Sequence, residues 1–176
     1  MSALSVLFIV LPILAVSFCH ALEVVFTARR WASHHSASSD EAHQSLVNIL
    51  FRLSGMNMSA LVIAAVVGFL AVLLSTAALF VGGLWAELVW TTVFMAYSVC
   101  ALISIVRAVI LKGYVPGLVT NIISVPLIAY TAYSLSLVWP WWGMLLFAIL
   151  GLVLALANLY FAQRLGQRQT SKSTKN

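Results

Sequence analysis

A histidine and a carboxylate three residues apart, His20 and Glu23, are the groups in this chain best placed for acid–base chemistry. At i and i+3 on a helix they project from one face, one turn apart, so the glutamate can orient the imidazole while the ring takes up a proton. Their setting is apolar. Leu4 to Phe18 carries no charge, Val24 to Ala28 carries none either, and the first basic residues are Arg29 and Arg30. A carboxylate in such a segment costs roughly 2.5–3.5 kcal/mol at the centre of a membrane and less toward its edge. Other parts of the chain must offset that cost.

Other chemistries find little support. No Ser-His-Asp set, glycine-rich phosphate loop or Cys/His zinc spacing is present. Cys19 and Cys100 fall inside apolar runs and read as small core residues rather than a disulfide or redox pair. Di-iron bundles use Glu-x-x-His pairs from two helices plus further glutamates, whereas the single His-x-x-Glu here has no partner pair. His34, His35 and His43 read as solvated loop residues. No metal or cofactor is therefore expected.

The elements that must position His20 and Glu23 are membrane spans. Of 176 residues 63% are hydrophobic and only 7% charged, and the mean hydropathy is +1.08. Soluble domains carry about 25% charged residues, so this chain cannot cover a water-facing surface. Its partner is the lipid bilayer, and nothing in it points to nucleic acid. The first apolar run is expected to be retained rather than cleaved as a signal peptide. Its N-terminal residues lack Lys and Arg, and the basic residues follow the run.

The expected fold is an all-α integral membrane bundle with five transmembrane helices near 4–27, 59–81, 85–111, 116–138 and 141–161. Gly82-Gly83 parts the second span from the third, and Trp139-Pro140-Trp141-Trp142 forms the last turn with an interfacial aromatic belt. Pro116 suits the first turn of the fourth helix. The expected domain organisation is one bundle over 1–163, followed by a disordered basic tail over 164–176 held near anionic lipid. In the loop between the first two spans, Ser38 or Ser39 can cap a short amphipathic helix near 40–54. Asp40 and Glu41 lie in its first turn, and Leu46, Ile49, Leu50 and Leu53 share one face. Asn57-Met58-Ser59 matches a glycosylation sequon but falls on the cytoplasmic side of this topology. Gly151 and Ala155, four apart, allow a close helix approach.

All nine basic residues lie on one side of such a bundle: Arg29, Arg30 and Arg52, then Arg107 and Lys112, then Arg164, Arg168, Lys172 and Lys175. The positive-inside rule puts the N-terminus outside and the C-terminus in the cytoplasm. Glu87, beside Trp85 and Trp90, reads as an interfacial charge on the outer side.

Depth can now be compared between spans. Glu23 lies six residues before Arg29, Arg107 five before Lys112, and Asn121 five after Pro116. At the rise of an α-helix each is roughly 7–9 Å from its helix end. His20, Glu23, Arg107, Thr120 and Asn121 should then occupy one cytoplasmic-side layer. The expectation is that Glu23 pairs with Arg107 across the bundle, with His20 and Asn121 hydrogen-bonded around them. Independent snorkelling of Arg107 and Glu23 to the interface is the simpler alternative.

Two local patterns resemble the HXXEE-domain membrane proteins, which are small, mostly bacterial, multi-spanning proteins of uncharacterised function. One is His20-Ala21-Leu22-Glu23 near the end of the first span. The other is Tyr114-Val115-Pro116-Gly117-Leu118-Val119-Thr120 entering a later span. The resemblance implies that His20 is the motif histidine and Glu23 its first glutamate, with Val24 in place of the second. It adds Tyr114, Pro116, Gly117 and Thr120 as motif residues and implies a bacterial plasma (inner) membrane. The third span, where that family suggests a further histidine, has Ser104 and Arg107 instead.

Three functional classes follow. An intramembrane enzyme would use His20 as base and Glu23 to orient it, on an amphipathic or lipid-like substrate entering from the inner leaflet. A structural or accessory subunit would use the polar layer for helix register. A small transporter would use it as a binding or relay site, but an internal repeat and interrupted helices are lacking.

Overall fold

The computed structural model describes residues 3–35, 58–110 and 113–173. They form five helices: α1 (Ala3–His35), α2 (Met58–Val81), α3 (Leu84–Ile110), α4 (Leu118–Ser136) and α5 (Trp141–Ser173). Each holds a segment long and apolar enough to cross a membrane, and no strand occurs among the described residues. The chain is therefore an all-α membrane-type bundle. The expected amphipathic helix near 40–54 lies outside the described residues.

Leu, Val, Ile and Ala surround these helices on all sides, and many large apolar side chains face outward, among them Phe26, Leu74, Phe80 and Val109. A surface of this kind is stable against lipid and not against water. Pro12 in α1 and Pro126 in α4 lie inside helices, which a lipid-embedded helix tolerates when its neighbours support the interrupted turn.

The joints set the order of the bundle. Gly82 and Gly83 both have left-handed backbone, with φ of 84° and 96°. The Gly82 amide donates to the carbonyls of Ala78 and Leu79 at 3.3 and 3.1 Å, closing α2 before α3 starts at Leu84. The expected start of the fourth helix at Pro116 is corrected. Gly117 adopts φ 87°, which no helix residue does, and α4 begins only at Leu118. The last helix also outruns its expected end, staying helical to Ser173, so the segment read as a disordered tail is helical backbone up to that residue.

α1 packs on α2 and α4, α3 packs on α2, α4 and α5, and α2 also packs on α5. Among the described residues α1 and α3 make no close backbone approach. One storey of the bundle is apolar, built from Ile9, Val10, Ile13, Val72, Trp90, Phe94 and Leu135. Trp90 and Phe94 stack within α3 at 5.5 Å. Close to the other end of α2 and α5, Ala60, Ala64 and Ala162 form a smaller cluster. Gly151 is where α3 and α5 cross most tightly, since a Cβ there would stand 2.6 Å from the Ala96 amide nitrogen. His20, Glu23 and Thr120 meet away from the large apolar cluster, where the second half of α1 crosses the start of α4.

Candidate functional site

The first turn of a helix leaves amide N–H groups without intrahelical partners, and an N-cap side chain normally accepts one of them. In α4 the N-cap is Gly117, which has no side chain to do so. Glu23 supplies the acceptor from α1. Its Oε1 accepts from the Val119 amide at 3.2 Å, and its Oε2 accepts from the Thr120 amide at 2.9 Å. The Thr120 hydroxyl donates to Oε2 at 2.7 Å, and the Tyr114 hydroxyl donates to Oε1 at 2.6 Å. A carboxylate at a helix N-terminus also meets the positive end of the helix dipole. The membrane cost of Glu23 is offset here, by four donors and a dipole.

That arrangement corrects the expected ion pair. The groups holding the Glu23 carboxylate come from the approach to α4 and its first turn, and Arg107 is not among them. Arg107 is carried by α3, whose backbone makes no close approach to α1. Its side chain is half-buried.

His20 joins the site through Thr120. Its Nδ1 lies 3.2 Å from Thr120 Oγ1. The threonine hydroxyl has one proton, and its shortest contact, at 2.7 Å, is with the Glu23 carboxylate. A second acceptor, the Gly117 carbonyl, lies at 3.1 Å. With that proton directed away from the ring, Thr120 Oγ1 is an acceptor toward His20. The network thus assigns the proton of neutral His20 to Nδ1 and leaves Nε2 with its lone pair.

Gly117 makes this approach feasible. A Cβ there would stand 2.3 Å from His20 Cε1 and 2.8 Å from Nδ1, so glycine is required by space as well as by its φ. Val24, at the position of the second motif glutamate, is 2% exposed and packs toward the same point. Pro116 precedes Gly117 in the connection and contributes its fixed φ. Tyr114 lies in that connection, outside the spans. Burial, together with the hydrogen bond it donates to Glu23, pushes its phenol up from the ordinary tyrosine value.

Asn121 is buried, as its depth suggested, but its side chain makes none of the hydrogen bonds expected of it. Its backbone amide closes the first turn onto the Gly117 carbonyl at 3.1 Å. Two neighbours escape a reading by depth. Tyr97 of α3 meets the His20 ring edge-on at 6.3 Å, and Ser124 of α4 is fully buried, donating to the Asn121 carbonyl at 2.7 Å. The available signal was weak: one tyrosine in the middle of an apolar span, and a serine one turn beyond an asparagine. Of the four histidines only His20 has a described side chain. Among the described residues, no three His, Cys, Asp or Glu side chains gather as metal ligands would.

No curated protein and no solved structure matches this chain. The model of a family described as protein of unknown function with HXXEE motif matches residues 9–131. That stretch contains the whole joint, from His20 and Glu23 through Tyr114 and Gly117 to Thr120, and the chain belongs to this HXXEE family.

Proposed function

We propose that the protein is an intramembrane enzyme of a bacterial plasma membrane, with its N-terminus outside and the His20 layer on the cytoplasmic side. His20 is its general base, acting on an amphipathic, lipid-like substrate that enters from the inner leaflet. The observation that carries this reading is the ordered chain Glu23–Thr120–His20, which directs the Nδ1 proton inward and leaves Nε2 as a proton acceptor. A substrate O–H placed against Nε2 gives its proton to the ring. The imidazolium that forms is balanced by Glu23 through Thr120, in the way a buried carboxylate supports a catalytic histidine. The charge pattern supports the orientation, because every basic residue falls on the side of this layer.

A second reading has its own observation. Glu23 fills the cap of α4, so the layer can serve as a joint that fixes α1 against α4 without any chemistry. The two readings differ in what His20 does. Purified protein in lipid nanodiscs, incubated with a total polar lipid extract and followed by mass spectrometry, separates them. The enzyme reading expects a lipid species to change with the native chain and not with His20→Gln, while both keep the same helical circular dichroism. If neither changes any lipid, the joint alone remains.

A further inference from the structure

Two buried polar side chains near His20 take no part in the Glu23–Thr120–His20 chain. Asn121 is 1% exposed, and neither its amide nitrogen nor its amide oxygen makes a hydrogen bond. The Tyr97 hydroxyl is buried too, with only the Ser124 side chain beside it, while the Tyr97 ring leans on His20. They belong to one locality. Asn121 and Ser124 are one turn apart on the same face of α4, and the Tyr97 hydroxyl lies beside Ser124.

A buried polar group without a partner costs about 1–3 kcal/mol, so the Asn121 amide calls for a partner that the protein does not supply, and the Tyr97 hydroxyl, which can both donate and accept, has capacity for one beyond Ser124. The chemistry of that partner follows from the donors and acceptors on offer. Asn121 offers N–H and C=O, and Tyr97 offers an O–H that both donates and accepts. These groups and Ser124 carry no charge, and the nearby Glu23 carboxylate is already taken by four donors. A neutral group that donates and accepts through one small atom fits them, which is a hydroxyl.

We propose that Asn121 and Tyr97 hold a hydroxyl group inside the bundle beside His20, belonging either to water or to the alcohol of an amphipathic lipid-like molecule. This deepens the reading of His20 as a base, since it names the O–H from which the proton comes. Binding is nevertheless measured without turnover.

The test is thermal unfolding of the full chain in nanodiscs with 1-dodecanol or n-dodecane added as probes. The native chain, Asn121→Leu, Tyr97→Phe and His20→Gln are compared. A lipid alcohol predicts a dose-dependent rise in melting temperature with dodecanol and none with dodecane. That rise is lost in Asn121→Leu, weakened in Tyr97→Phe and retained in His20→Gln. Water predicts no response to dodecanol, with Asn121→Leu and Tyr97→Phe both melting below the native chain because each strands the other groups of the bridge. The proposal is overturned if dodecanol acts no differently from dodecane and the substituted chains melt at or above the native temperature, since a partnerless amide is better replaced by hydrocarbon. Tyr97→Phe decides the matter alone if Asn121→Leu does not fold. A dodecanol response with no lipid turnover would remove the catalytic reading and leave the hydroxyl site standing.

Discussion

At the scale of single residues, Glu23 shows how a carboxylate can be kept inside an apolar span without a cation. Two backbone amides and two hydroxyls converge on its oxygens, and both amides belong to the first turn of another helix. Glu23→Gln keeps the shape but turns an amino group toward donors and gives up the interaction with the dipole. It should cost about 1–3 kcal/mol. Hydrogen exchange at the Val119 and Thr120 amides should speed up more than exchange elsewhere in α4.

Tyr114 gives the site a pH dependence. Its folded-state phenol lies above the ordinary value, so the folded chain keeps a proton that the unfolded chain releases. The corresponding stability is intact below about pH 10 and declines as pH rises through the folded Tyr114 value. Melting temperatures followed upward from about pH 9 should therefore fall more steeply for the native chain than for Tyr114→Phe. Parallel curves would show that the hydrogen bond to Glu23 does not matter to stability.

The residues of the site were legible in the sequence by depth, and their partners were not. Counting along each span places His20, Glu23, Thr120, Asn121 and Arg107 at one level, but counting gives no azimuth around the bundle. Opposite charges at one level suggested Glu23 with Arg107, yet the groups that meet Glu23 come from the start of α4. Two of the four donors were beyond reach because backbone amides carry no letter in a sequence. They become available only where a helix begins, and that point depends on the left-handed Gly117.

At the scale of elements, the hydropathy pattern identified five spans because lipid requires long apolar helices with their backbone groups satisfied internally. It located their ends less well. Pro116 has the φ of a helical first residue, but Gly117 reverses the backbone after it. α5 continues past its apolar portion because Gln, Arg and Leu favour helix even where they no longer favour lipid. The α3–α5 crossing depends on a missing side chain. Gly151→Ala would put a methyl group 2.6 Å from the Ala96 amide nitrogen, so the two helices must part. An overpacking cost of about 1–3 kcal/mol follows, read as a lower melting temperature in nanodiscs. Gly143→Ala meets nothing closer than 3.6 Å and should change little.

Across the whole molecule, the bundle divides into an apolar storey that holds the helices together and a polar storey where α1 meets α4. The proposed orientation makes a prediction at this scale. Single cysteines at Ser2 and Leu84, in a chain lacking Cys19 and Cys100, should react with a membrane-impermeant maleimide in intact cells. A cysteine at Ser54 should react only after the cells are opened. The reverse pattern would turn the molecule over and put the His20 layer at the outer leaflet.

α1 and α4 meet in an ordered chain from Glu23 through Thr120 to His20, and that chain decides where the imidazole carries its proton. Nitrogen-15 NMR of His20 tests it most directly, in nanodiscs and in a chain whose other three histidines are glutamine. The neutral ring should carry its proton on Nδ1 and leave Nε2 bare, and Thr120→Val should abolish that preference. A neutral His20 protonated on Nε2 in the native chain, or a tautomer indifferent to Thr120→Val, would contradict the account.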